Sequence, residues 1–258
     1  MIDYRICIPS YKRPKIIKDR TLKLLDRLGI PSEGIDIIVE TEPMAKEYNE
    51  SPDNKYNIIV SNTNGIKDKR NFVRTYYQNE TTLEYLICID DDIEEIYDYD
   101  KSITRESFID NVNTAFQQCI DDKITLWGIS PYNNTFFLKK NTSKNLKYIA
   151  GGFFGLVIDR NYEPIQTTFN HYEDFCFSVQ HFLRDNAVLR LNWLCVKTKY
   201  FGEGGITEWY GGKSIRNEAM EKDADRFVEL YSSNIAKKTK NKWGYGLKLN
   251  HYFKNKTL

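Results

Sequence analysis

Tyr85-Leu86-Ile87-Cys88-Ile89-Asp90-Asp91-Asp92-Ile93 is the stretch that decides how this chain is read. A short apolar run of this kind reads as a strand buried on both faces. It runs straight into three carboxylates, which repel one another strongly unless a cation or water relieves them. Asp90 and Asp92 are two residues apart, so on an extended backbone their side chains point the same way. Two carboxylates on one face, at the carboxyl end of a strand, suit a hard divalent cation that also grips a diphosphate. The alternative is a solvated acidic turn leading into Ile93-Glu94-Glu95.

Upstream of that stretch the chain alternates. Residues 4–8 read as a strand ending at Pro9, and Ile17, Thr21, Leu24, Leu25 and Leu28 recur at helical spacing until Gly29 stops them. Further strands are expected at 34–39 and 56–60, with a helix over 67–78. Such alternation predicts an α/β domain with a mixed, mainly parallel central sheet flanked by helices, whose ligands bind beyond the carboxyl ends of the strands. Pro9-Ser10-Tyr11, Glu40 and Asp90–Asp92 all fall at such ends. Downstream, helices are expected over 108–120, 174–184 and 215–231, and strands at 124–130, 135–138, 153–158 and 188–196. One compact domain over 1–212 is expected, with residues 213–258 as a basic C-terminal helix-and-loop extension on it.

The 258 residues include 41% hydrophobic and 14% aromatic residues, which excludes intrinsic disorder. No apolar run approaches the roughly 20 residues of a membrane span, and the N-terminus lacks a signal-peptide pattern. Five scattered cysteines without a CxxC pair read as reduced core residues of a cytoplasmic protein. The formal charge of +1 conceals a polarity: residues 230–258 hold seven lysines and no acid, so the first 229 carry a net −6. That tail interleaves its cations with Trp243, Tyr245, Tyr252 and Phe253. Lysines neutralise phosphates and aromatic faces stack on bases or sugars, so DNA is a candidate partner; a solvated tail packing its aromatics on the domain is the other reading.

The order of Ile8-Pro9-Ser10-Tyr11-Lys12-Arg13-Pro14, an acid at Glu40, Gly65 to Arg70-Asn71 and Asp90-Asp91-Asp92 resembles the family-2-type glycosyltransferases of the GT-A (Rossmann-like) fold. The resemblance spans roughly residues 4–200. It implies a divalent cation, Mn²⁺ or Mg²⁺, on Asp90 and Asp92, and a nucleotide-sugar donor, a UDP-sugar by likeness. Donor contacts are then expected from Pro9, Tyr11, Arg13, Glu40, Arg70, Asp90 and Asp91. Gly151-Gly152 matches a close-packed wall of the sugar pocket, where glycine lets backbone amides approach the ligand. His171-Tyr172-Glu173-Asp174 corresponds to the segment whose Asp is the catalytic base of inverting members, making Asp174 the base and Glu173 a sugar contact. A plain helix start with favourable acids is the rival for that pair. His251 is the candidate third metal ligand.

Gly211-Gly212-Lys213-Ser214 fails the phosphate-loop frame, because the earlier glycine would fall at Thr207. A glycine-rich loop carrying Lys213 and Arg216 into a helix instead suits a lid on the donor diphosphate. The Gly202–Gly212 loop, the Arg216 helix and Lys242-Trp243-Gly244 are similar to the TET-associated glycosyltransferases of phages. That likeness implies a 5-hydroxymethylpyrimidine acceptor in DNA. A polysaccharide or small-molecule acceptor, and a non-catalytic DNA-binding module, are the competing expectations.

Overall fold

The computed structural model describes residues 2–50, 55–132, 134–198, 213–241 and 244–255. The architecture is α/β: a ten-stranded mixed sheet between two helical layers, with a separate two-stranded hairpin among the described residues. The chain runs β1 (Arg5–Pro9), α1 (Pro14–Ile17), a π turn (Lys18–Leu22), α2 (Lys23–Arg27), β2 (Ile35–Val39), α3 (Glu42–Asn49), β3 (Asn57–Val60), α4 (Gly65–Asn79) and β4 (Tyr85–Ile89). It continues through β5 (Ile93–Asp98), β6 (Lys101–Ser102), α5 (Arg105–Asp122), β7 (Leu126–Ser130), β8 (Thr142–Ser143), β9 (Phe153–Val157), α6 (Glu173–Asp185) and β10 (Leu189–Thr198). It ends in α7 (Lys213–Tyr231), β11 (Ala236–Asn241) and β12 (Gly244–Leu249).

The sheet order is β3-β2-β1-β4-β9-β7-β10-β5-β6, with β8 on β10. Strands β1 to β4 are mutually parallel. Following the pairings outward, β6, β7 and β10 share their direction and β5, β8 and β9 oppose it. Period-two alternation feeds two cores. Ile6, Ile8, Ile37, Ile87 and Ile89 face α1, α2, α3 and α5, whereas Cys7, Ile38, Leu86 and Cys88 face α4, α6, α7 and the hairpin. All five cysteines are free and buried, as their scatter predicts.

Four features depart from the expectations. Ile93–Asp98 is a strand, because it pairs antiparallel with the far half of β10 after that strand's register shifts between Leu191 and Cys195. The stretch expected as a strand at 135–138 is instead a 3₁₀ turn over Thr135–Phe137, initiated by Asn134 accepting the Phe136 amide at 3.0 Å. An eight-residue helix, Glu42–Asn49, stands where none is expected, capped by Thr41. The C-terminal extension is not helix and loop alone: it ends in the β11–β12 hairpin, whose Ala236, Leu247 and Leu249 share a core with α6 and α7.

Candidate active site

The acidic turn sits at the carboxyl edge of β4 and is fixed from several elements. Asp90 extends the β4–β9 pairing by donating its amide to the Gly152 carbonyl at 3.0 Å. Thr21, fully buried in the π turn, donates its hydroxyl to the Asp90 carbonyl at 2.7 Å and accepts the Ile93 amide at 2.9 Å. One side chain thus ties both ends of the turn, and a π turn is a frequent device for aiming a residue at a site. Asp91 is buried and accepts Ser10 Oγ at 2.5 Å and Arg13 Nη1 at 3.1 Å. Asp92 accepts Thr198 Oγ1 at 2.7 Å, with Arg13 Nη1 at 3.4 Å from its other oxygen. The Asp90 side chain stays 35% exposed; desolvation still pushes its carboxyl up to about 6, with Arg70 opposing and Asp92 and Asp91 adding.

The second carboxylate pair opens α6. Tyr172, immediately before it, adopts a left-handed backbone at φ 61°, an unusual conformation for a tyrosine that turns the chain into the helix. Glu173 forms an ion pair with Arg70 Nη1, while Arg70 Nη2 reaches Asp90 Oδ1 and the Gly151 carbonyl, both at 3.0 Å. One buried guanidinium therefore joins the two carboxylate groups. Burial opposes the charge on Arg70, but Glu173, Asp90 and Asp174 outweigh it and raise its pKa further. Burial pushes Glu173 up, with Arg70 pulling back. Asp174 Oδ2 accepts the Tyr148 hydroxyl at 2.5 Å and the Gly151 amide at 3.3 Å. Tyr148 stacks on Phe175 at 4.0 Å between centroids, which fixes that hydroxyl.

Gly151 is required by this packing: a Cβ there would lie 1.8 Å from Arg70 Nη1. At Gly152 a Cβ would stand 3.4 Å from Asp90 Oδ2, so that oxygen faces a wall without a side chain. The structure thus joins Arg13, Arg70, Asp90, Asp91, Asp92, Gly151, Gly152, Glu173 and Asp174 in one connected group. Pro9 ends β1 beside them, and Tyr11 packs its ring under the Lys69 ammonium at 5.5 Å. Glu40 is buried, accepting the Gly65 amide at 2.9 Å with Lys69 Nζ at 3.4 Å. Arg216 lies on α7 within electrostatic reach of Tyr172. Gly202–Gly212 and Lys242-Trp243 lie outside the described residues.

His251 is not brought to the acidic turn. Its Nδ1 lies 2.9 Å from the Leu146 carbonyl, and the charges acting on it are those of Lys147, Arg190 and Lys248. Among the described residues no three His, Cys, Asp or Glu side chains form a metal-binding group. Asp90 and Asp92 nevertheless suit a hard cation in donor type. Two carboxylates alone would leave most of such an ion's shell to water or substrate phosphates. Tyr148 and the roles of Thr21 and Ser10 escape sequence reading because their partners lie 26 to 81 residues away.

No protein-family model matches the chain, and no curated protein matches it by sequence. Among solved structures it is similar to a protein described as a nucleotide-diphospho-sugar transferase from Desulfovibrio desulfuricans. That pair is 9% identical, covers 74% of this chain and 80% of the other, and has a TM-score of 0.47. It is also similar to glucosyl-3-phosphoglycerate synthase from Mycobacterium tuberculosis, solved with Mn²⁺, UDP and phosphoglyceric acid. Here identity is 8%, coverage 97% and 87%, and the TM-score 0.48. Both likenesses are distant, and what the site does rests on its own geometry.

Proposed function

We propose that the chain is an inverting glycosyltransferase that moves a sugar from a nucleotide-sugar to a hydroxyl acceptor, the acceptor being a 5-hydroxymethylpyrimidine in DNA. The observation that carries this reading is Arg70, whose one guanidinium binds both Asp90 and Glu173 and so holds a cation-type carboxylate turn against a base-type carboxylate pair. Asp90 and Asp92 would hold a divalent cation, which when bound neutralises charge on the leaving diphosphate. Asp174 takes the proton of the acceptor hydroxyl, whose oxygen bonds to the anomeric carbon as the carbon–phosphate-oxygen bond breaks toward the nucleotide. Its Oδ2 is aimed by Tyr148 and the Gly151 amide. The basic hairpin supports a polyanionic acceptor: Tyr172 beside the pair donates its hydroxyl to the Tyr245 carbonyl at 2.9 Å.

The test incubates the protein with hydroxymethylpyrimidine DNA, Mn²⁺ and a panel of nucleotide sugars, and reads nucleoside masses. Glycosylated nucleoside is expected, with Asp174→Asn lowering its rate on the order of 100-fold or more. Full transfer by Asp174→Asn overturns the mechanism, and absence of any glycosylated nucleoside overturns the acceptor.

A further inference from the structure

The 3₁₀ turn carries a surface the mechanism does not use. The 3₁₀ turn leaves Phe136 84% and Phe137 54% exposed, and Tyr132 at 54% packs on Phe137 with ring centroids 5.5 Å apart. The Phe136 and Phe137 centroids are 5.4 Å apart, so the three rings form one exposed aromatic cluster. The turn is anchored to β10, since the Lys139 amide donates to the Asn192 carbonyl at 2.9 Å and Asn192 Oδ1 accepts Arg190 Nε at 2.8 Å. Arg190 Nη1 in turn reaches the Tyr148 carbonyl at 3.4 Å, while His251 meets the Leu146 carbonyl on the other side of Lys147. Lys147 is thereby flanked along the chain by the Arg190 contact at Tyr148 and the His251 contact at Leu146, and Lys248 stands directly across from Lys237 in the β11–β12 register.

Among the described residues, none of Lys139, Lys147, Arg190, Lys237 or Lys248 forms an ion pair with a carboxylate. Like charges set opposite each other on a hairpin are destabilising. Five positive groups on the 139–147 segment, β10 and the hairpin also exceed what one phosphomonoester, at about −2, would neutralise. They match a run of phosphodiesters. Exposed rings next to such a run match unpaired bases, since stacking platforms along a cationic track are how single strands are held.

We propose that this surface binds single-stranded nucleic acid, its backbone on Lys147, Arg190 and Lys248 and its bases on Tyr132, Phe136 and Phe137. Arg190 touches the Tyr148 carbonyl and Tyr148 touches Asp174, so the bound strand runs past the proposed base. That the strand is the acceptor rests on the transferase reading; the binding itself does not.

The experiment is a fluorescence-anisotropy titration of a labelled single-stranded oligonucleotide with the full chain, without donor or metal, across a salt series. Phe136→Ala/Phe137→Ala is expected to weaken binding by at least 5-fold. Lys147→Ala/Lys248→Ala should flatten the salt slope by roughly 1.4, at about 0.7 per cation lost on a single strand. Lys23→Ala, on α2, controls for bulk charge and should change neither. Unchanged binding in both double variants overturns the surface, as does an equal loss in Lys23→Ala. Equal competition by duplex of the same sequence overturns the stacking role, and full displacement by millimolar inorganic phosphate reduces the site to a single oxyanion. A self-associating protein whose assembly, not oligonucleotide binding, is lost in Phe136→Ala/Phe137→Ala shows a protein interface instead.

Discussion

Thr21 makes one hydroxyl serve two backbone groups, the Asp90 carbonyl and the Ile93 amide. Thr21→Val keeps the shape and removes both bonds, leaving a buried amide without a partner. The expected loss is about 1–3 kcal/mol, read by urea unfolding, with Thr21→Ser retaining most of it. Gly151 offers a second residue-scale test. A methyl there meets the Arg70 guanidinium, which cannot retreat without leaving Asp90 or Glu173. Gly151→Ala is expected to cost about 1–3 kcal/mol and to drop transfer more steeply than stability. At this scale Asp90–Asp92 are legible in the sequence because charge next to a buried strand is conspicuous, whereas Arg70, Glu173 and Asp174, on helices, stand out only through the family resemblance. Thr21 is not legible: it falls on the apolar stripe of its helix and reads as packing.

Helix α4 works as a staple between strand ends. Lys69, 2% exposed, donates to the Ser10 carbonyl at 2.8 Å and pairs with Glu40, so β1, β2 and α4 meet at one ammonium. Desolvation lowers the Lys69 pKa, with Glu40 holding it back up. Lys69→Met leaves Glu40 buried without its cation, which costs about 3–5 kcal/mol. Lys69→Met/Glu40→Gln should recover part of that in chemical denaturation. An equal loss in the single and double variants would show that Glu40 was never the cause. The strands of the first half are legible because they are apolar on both faces. β5 and the hairpin are not, because Glu94, Glu95 and four lysines sit among their apolar positions and only the partner strand or α7 selects an extended backbone. Lys238 shows how: it lies on the packed face of the hairpin and is satisfied by Asp225 at 2.7 Å on α7.

Across the whole molecule, pH acts through a cluster on α6, two turns along the helix from Asp174. His181 is 4% exposed, with Nδ1 on Thr125 and Arg184 and its Nε2 buried without a hydrogen bond. Desolvation, with Arg184 adding and Asp185 opposing, holds its pKa down to about 4 against an ordinary 6.5. The unfolded chain binds the extra proton first, so stability is full above pH 6.5 and falls as the pH drops toward 4. The accumulated loss is about 3 kcal/mol. Asp185 adds to the loss at still lower pH, since its bonds to His181, Arg184 and Thr125 outweigh burial and keep it below the carboxylate range. Urea midpoints measured from pH 7 to pH 4.5 should decline accordingly, and a flat profile would mean that His181 is hydrated. The charge polarity of the sequence survives folding only in part: Lys238 is consumed by α7, whereas Lys237 and Lys248 stay exposed.

The five buried thiols give the molecule an internal clock. Cys7 and Cys88 stand opposite each other on β1 and β4, Cys119 lies on α5, Cys176 on α6 and Cys195 on β10, none more than 5% exposed. A thiol reagent therefore reports nothing until an element opens, and each alkylated position names the element that did. Mass spectrometry of partly labelled chains would then order the openings of helices and strands without any engineered probe.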